Sequence, residues 1–243
     1  MVFQARVARV IAVLALTFAT AACGARSDDR DEPKSAPRPA DAASSGTAPA
    51  AVAATRPRIV VLGDSLTAGL GLAARDAYPA LLQQRVDSSG LNFEVINAGV
   101  SGDTSAGGLE RLDWALQGDV RILVVALGGN DALRALPAEE LKRNLAQIIE
   151  RAQARGIAVL LAGMEAPPNF GRDYIVSFHS VYPALAKQYH VAFVPFLLQG
   201  VAGNDSLNQR DGIHPTAAGA RIVADSVWAA LKPLAEGQKR TGS

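Results

Sequence analysis

From Arg58 onward the chain alternates short apolar runs with longer amphipathic stretches, and that alternation limits the folds open to it. The runs Ile59–Leu62, Phe93–Asn97, Ile122–Ala126, Ala158–Ala162 and Ala192–Val194 are rich in Val, Ile and Leu. Such runs suit strands covered on both faces. Between them, the spacing of apolar residues predicts helices over Ala77–Val86, Ser105–Leu116, Ala138–Arg155 and Tyr174–Tyr189, with a last one from about Ala217 to Leu231. Pro137 before an Ala-Glu-Glu start and Gly156 after Arg155 mark the two ends of one of them. Strand–helix alternation of this kind predicts one α/β domain built on a parallel sheet with helices on both faces. No internal repeat and no second domain is visible. In such sheets ligands bind beyond the carboxyl ends of the strands. The polar motifs fall there: Gly63–Ser65, Gly99–Thr104, Gly128–Asp131 and Glu165–Asn169 each follow an apolar run.

The residues before the domain have a different character. Residues 1–23 read as an export signal, with Arg6 and Arg9 ahead of the apolar run Val10–Phe18, which is short for a membrane span. Ala19-Thr-Ala-Ala-Cys23 admits two processing outcomes. Ala19-x-Ala21 suits an ordinary signal peptidase, whereas small residues directly before Cys23 are similar to a lipobox, in which the cysteine is acylated. Cys23 is the only cysteine, so it has no intrachain disulfide to make. Residues 24–56 are Ala, Pro, Ser, Thr and charge, too poor in large apolar side chains to offset the entropy of ordering. They read as a disordered tether with a reach of roughly 30 Å. The domain is expected over residues 57–235 and a flexible tail over 236–243. A net charge of +1, without a Lys/Arg stripe in the folded part, gives no footprint for nucleic acid.

Two segments carry the chemistry. Val60-Val-Leu-Gly-Asp-Ser-Leu-Thr-Ala-Gly69 delivers Ser65 at a strand-to-helix turn, and Asp211-Gly-Ile-His-Pro215 places an acid and an imidazole three residues apart. Acyl transfer by a serine needs such a nucleophile, a base and a group that orients the base. Taken alone, Gly-Asp-Ser is also an ordinary helix cap, and Asp-Gly an ordinary turn dipeptide. Of the three histidines, His179 lies within a predicted helix and His190 at its end, which leaves His214 as the base. Donors for an oxyanion are available at Gly102, whose N–H has no Cβ beside it, and at the Asn130 amide; each is equally a turn residue when taken singly. No Gly-x-Ser-x-Gly elbow, Gly-x-x-x-x-Gly-Lys loop or His-Glu-x-x-His motif is present, and neither metal nor cofactor is expected.

Gly63-Asp-Ser-Leu66, Gly102, Asn130 and Asp211-x-x-His214, in that order, resemble the four sequence blocks of the SGNH (GDSL) hydrolase family, and in particular its bacterial thioesterase I, lysophospholipase L1 and arylesterase group. The resemblance covers nearly all of Arg58 to Leu234 and extends to Tyr78-Pro-Ala-Leu-Leu82, Val100-Ser-Gly-Asp-Thr104, Leu127-Gly-Gly-Asn-Asp131 and Tyr182-Pro-Ala-Leu-Ala186. It implies a flavodoxin-like three-layer sandwich with a five-stranded parallel sheet. It also implies Ser65 as nucleophile and oxyanion donor, Gly102 and Asn130 as the other donors, His214 as base and Asp211 as its orienter. Leu133, Leu136, Met164 and Phe170, in the loops after Asn130 and after the fourth run, are the expected lining of an acyl groove. The expected substrates are aryl esters, acyl thioesters and lysophospholipids, met by an exported bacterial enzyme that is either periplasmic or anchored at the outer membrane through Cys23. Two other classes compete: a deacetylase of envelope polysaccharide, and a non-catalytic envelope lipoprotein. Only 5% of the residues are aromatic, few for stacking sugars, and neither Ser65, Asn130 nor His214 is missing.

Overall fold

A computed structural model describes residues 56–241; the signal segment, Cys23 and the tether up to residue 55 lie outside the described residues. The chain runs β1 (Arg58–Gly63), α1 (Ser65–Ala68), α2 (Tyr78–Ser88), β2 (Glu94–Gly99), α3 (Ser105–Glu110), α4 (Leu112–Ala115), β3 (Val120–Ala126), α5 (Gly129–Leu133), α6 (Ala138–Ala154), β4 (Ala158–Ala162), α7 (Arg172–Tyr189), β5 (Ala192–Val194) and α8 (Ala217–Thr241), with short 3-10 turns at Ala74–Asp76 and Pro168–Phe170. All five strands are parallel, in the order β2-β1-β3-β4-β5. This is the flavodoxin-like order. Helix α2 packs on α8 and α6 on α7 and α3, which makes the helical layers of the sandwich.

The apolar runs are strands because both of their faces are covered. Ile59, Val61, Leu62 and Ile122–Val125 are fully buried at the centre of the sheet. Edge strand β2 is mostly half-buried, and it carries the charged Glu94. Strand order reverses beside β1, which pairs with both β2 and β3. The loops leaving β1, β2 and β3 therefore open into one crevice. Glycine makes the crevice tight: a Cβ on Gly99, at the end of β2, would lie 2.3 Å from the Ala68 backbone nitrogen. The carboxyl end of β2 thus abuts α1.

Three expectations need correction. The stretch Ser105–Leu116 is two helices, broken at Arg111, whose side chain turns back to the end of β1. The last helix continues past Leu231 and through Pro233, so residues 236–241, expected as tail, are helical. The helix expected to start at Ser65 is only four residues long, and the short helix α5 lies outside every expected helix. Among the described residues no helix is long and apolar enough to cross a membrane.

Candidate active site

Ser65 is the first residue of α1, immediately beyond β1. Asp64 caps that helix: its Oδ1 accepts the Leu66 N–H at 3.0 Å. Gly69 closes the turn in the left-handed region, and the buried Thr67 hydroxyl pairs with the Tyr78 hydroxyl at 2.7 Å, tying α1 to α2. The nucleophile candidate therefore stands on a four-residue helix fixed at both ends. Its N–H lies at a helix start, where no intrahelical carbonyl is available to it.

His214 arrives from the opposite end of the domain. Asp211 Oδ1 accepts the backbone N–H groups of Ile213 and His214 at 2.9 and 3.0 Å, folding the loop into a tight turn. In that turn Asp211 Oδ2 lies 2.7 Å from His214 Nδ1, while His214 Nε2 lies 2.8 Å from Ser65 Oγ. The three side chains form one hydrogen-bonded line across 149 positions of sequence. Those backbone donors, together with the imidazole, hold the Asp211 carboxyl down at about 2. At neutral pH it is therefore ionised and can fix the Nδ1–H tautomer of His214.

Asn130 joins the other two loops. Its Nδ2 donates to the Asp103 carbonyl at 2.9 Å and to Asp64 Oδ2 at 3.3 Å. One amide thus bridges the residue after Gly102 and the residue before Ser65. Gly102 has φ +88°, a backbone conformation strained for any residue with a Cβ, and its N–H is engaged by no backbone carbonyl of the turns and loops. The Asn130 amide so ties the turn that carries Ser65 to the loop that carries Gly102, and an oxyanion would need donors of this kind beside the serine.

Beneath them is a polar scaffold that the sequence did not reveal. Asp131 is buried and takes the Ser105 N–H and hydroxyl at 2.8 and 2.5 Å. Arg111 binds Asp103 at 2.6 Å and the Gly63 carbonyl at 2.9 Å, which clamps the loop after β2 to the end of β1. Burial pushes the Asp64 carboxyl up from 3.8 to about 6, against the Leu66 N–H, His214 and Asn130, which favour its charged form. Ionising it in the fold costs about 3 kcal/mol relative to the unfolded chain. An acid raised in this way binds its proton more tightly folded than unfolded, so stability falls as pH rises from about 4 to about 6. The stability of Asp64→Asn relative to the parent should therefore improve by about 3 kcal/mol between pH 4 and pH 7. Urea melts at the two pH values measure this; a pH-independent difference would contradict the assignment.

A groove of about 450 Å³ opens beside Ser65. Leu133 and Met164 line it, the first exposed and the second buried. Leu136 and Phe170 do not line it. The Leu136 carbonyl accepts the Tyr174 hydroxyl, and the Phe170 ring packs 5.8 Å from that of Tyr174, so both serve the α7 interface. Lining residues that the sequence left unidentified are Leu66, Ala132, Glu165, Pro167, Phe196, Leu198 and Ile213. Among the other histidines, His179 bonds Glu165 at 2.7 Å and His190 caps α7 with φ +52°. Among the described residues no cluster of three His, Cys, Asp or Glu side chains is placed to hold a metal.

Residues 61–222 match the GDSL-like lipase/acylhydrolase family. Esterase TesA of Pseudomonas aeruginosa is 47% identical over 177 residues, which span 72% of this chain and 88% of that protein. The thioesterase 1/protease 1/lysophospholipase L1 of Escherichia coli K12 is 39% identical over 183 residues, 75% of this chain and 86% of its own length. A crystal structure of TesA aligns with a TM-score of 0.70 at 46% identity, covering 73% of this chain and 99% of that one.

Proposed function

This chain belongs to the GDSL-like lipase/acylhydrolase family and is an ester-hydrolysing serine hydrolase, and from that premise we propose that it is an exported enzyme of broad acyl range. It acts on aryl esters, acyl thioesters and lysophospholipids through an acyl-enzyme on Ser65, without a cofactor. The observation that carries this reading is the line Ser65 Oγ–His214 Nε2–His214 Nδ1–Asp211 Oδ2, at 2.8 and 2.7 Å, set at the end of an apolar groove.

The steps follow from the geometry. Ser65 Oγ attacks the substrate carbonyl carbon as its proton passes to His214 Nε2, and the carbonyl electron pair moves onto oxygen. The Ser65 and Gly102 N–H groups and the Asn130 amide receive that oxyanion. As the intermediate collapses, His214 gives its proton to the departing alcohol, phenol or thiol. Water, deprotonated by His214, then attacks the acyl-Ser65 ester, and as that intermediate collapses His214 returns the proton to Ser65 Oγ and the acid is released. Asp211 remains a carboxylate throughout and steadies the imidazolium.

Export rests on the signal-like residues 1–23, and attachment on acylation of Cys23 followed by the 24–56 tether, whose reach of roughly 30 Å holds the domain off the bilayer. The test is a panel of p-nitrophenyl esters from acetate to palmitate, beside palmitoyl-CoA and a lysophospholipid, run on membrane and soluble fractions of cells making the parent chain or Cys23→Ser. Hydrolysis is expected in the membrane fraction for the parent and outside it for the variant. Inertness toward every substrate would refute the enzymatic reading. An unmodified N-terminus at Ala22 in the mature protein, found by mass spectrometry, would refute the anchor alone.

A further inference from the structure

The groove beside Ser65 carries a charge that the hydrolytic steps leave unused. Its ionisable lining residues are Asp64, Glu165 and His214, and no lysine or arginine lines it. Asp64 and His214 belong to the machinery described above. Glu165 does not: it follows β4 in the loop Gly163–Pro168 and shares the groove wall with Met164, Pro167 and Phe196. Arg134, the cation nearest in sequence to Asn130, donates to the Gly102 carbonyl and is not part of the wall.

Glu165 is also held in place. Its side chain is only 34% exposed, and its Oε1 lies 2.7 Å from His179 Nδ1. His179 sits in the middle of the 18-residue helix α7, so with its hydrogen on Nδ1 it donates to a carboxylate whose position the fold determines. An unpaired surface glutamate would swing into solvent and act weakly. A two-thirds covered carboxylate beside an apolar wall instead projects a fixed negative potential into the space a substrate occupies, where screening is weaker than in bulk water.

We infer that Glu165, oriented by His179, sets the charge selectivity of the groove, favouring esters and thioesters that are uncharged or cationic over those bearing an anionic group on the acyl chain or leaving group. The inference rests on the serine-esterase reading and narrows its substrate class. Glu165 acts here on specificity, and His179 is a positioning residue for it.

The test uses the full chain and matched substrates. One set is p-nitrophenyl hexanoate, the mono-p-nitrophenyl ester of adipate, which ends in a carboxylate, and the hexanoate analogue ending in trimethylammonium. A second set is hexanoyl-CoA against the uncharged hexanoyl thioester of N-acetylcysteamine. The readout is the ratio of kcat/KM for uncharged over anionic substrate within each preparation, so that partial unfolding cancels. At about pH 8 and low salt, Glu165→Gln should lower that ratio about tenfold in at least one set, the scale of one charge acting across several ångströms of partly screened space. Glu165→Lys should lower it further and reverse the order of the anionic and cationic esters. Salt at about 0.5 M should compress the parent ratio but not that of Glu165→Gln. Ratios within twofold of the parent for both variants in both sets would overturn the inference while leaving the esterase reading intact. A parent enzyme inert toward the uncharged hexanoate would instead sink the esterase reading, and this inference with it.

Discussion

Ser65→Ala is expected to leave a folded protein whose ester hydrolysis is lower by roughly 10⁴-fold or more, the scale on which nucleophile deletions act in serine hydrolases. The hydroxyl makes a single hydrogen bond, to His214 Nε2, and Ser65 lines the open groove. The Asp64 cap and the Thr67–Tyr78 pair, which hold α1, are untouched by the change. Melting temperature should therefore move little while the covalent route disappears. His214→Ala should be nearly as severe, since the same proton then has no acceptor. His190→Asn is the control: asparagine tolerates the left-handed backbone at the end of α7, and His190 takes no part in the Ser65 line. Circular dichroism beside p-nitrophenyl ester turnover decides the matter. A folded, inactive His190→Asn, or a Ser65→Ala with parental turnover, would dismantle the assignment.

How much of this was visible in the residues depends on whether the signal is local. The strands were legible because burial on both faces leaves an unbroken apolar run, and Ile122–Ala126 is fully or almost fully buried as that run demands. The long helices showed their period. Helices α1 and α5, at four and five residues, are too short to show one. The members of the Ser65–His214–Asp211 line were legible because Asp211 and His214 are neighbours in a turn and the serine follows a strand. The scaffold beneath them was not. Asp131 reaches Ser105 across 26 positions, Arg111 reaches Gly63 across 48 and Asn130 reaches Asp64 across 66. No pattern in the sequence announces such pairs. Leu136 and Phe170 show the same limit from the other side: Leu136 offers Tyr174 its backbone carbonyl and Phe170 its ring, roles that an apolar residue in a loop beside a site does not announce. Glu165 is one more polar residue of a loop in sequence, and its partner His179 on α7 lies 14 positions away.

Asn130→Ala should lower kcat by roughly 10²–10³ while KM changes much less, because a donor aimed at the oxyanion contributes chiefly in the transition state. The side chain also has a second role, which the same variant exposes. In the resting arrangement both amide hydrogens are taken, one by the Asp103 carbonyl and one by Asp64 Oδ2. The Asp64 bond is the longer, at 3.3 Å against 2.9 Å, and is the one an oxyanion would displace. Removing the amide therefore deletes a catalytic donor and also unpins the loop carrying Gly102 from the turn carrying Ser65. The two effects separate in the kinetics. Loss of the donor alone lowers kcat and weakens a phosphonate or boronate transition-state analogue by the same factor, with the fold and KM little altered. Loss of the bridge alone would raise KM and lower the melting temperature without selective loss of analogue binding. The expected result is the first pattern with a modest component of the second. Parental kcat in a folded Asn130→Ala would remove the side chain from the oxyanion site and leave the Ser65 and Gly102 N–H groups as its donors.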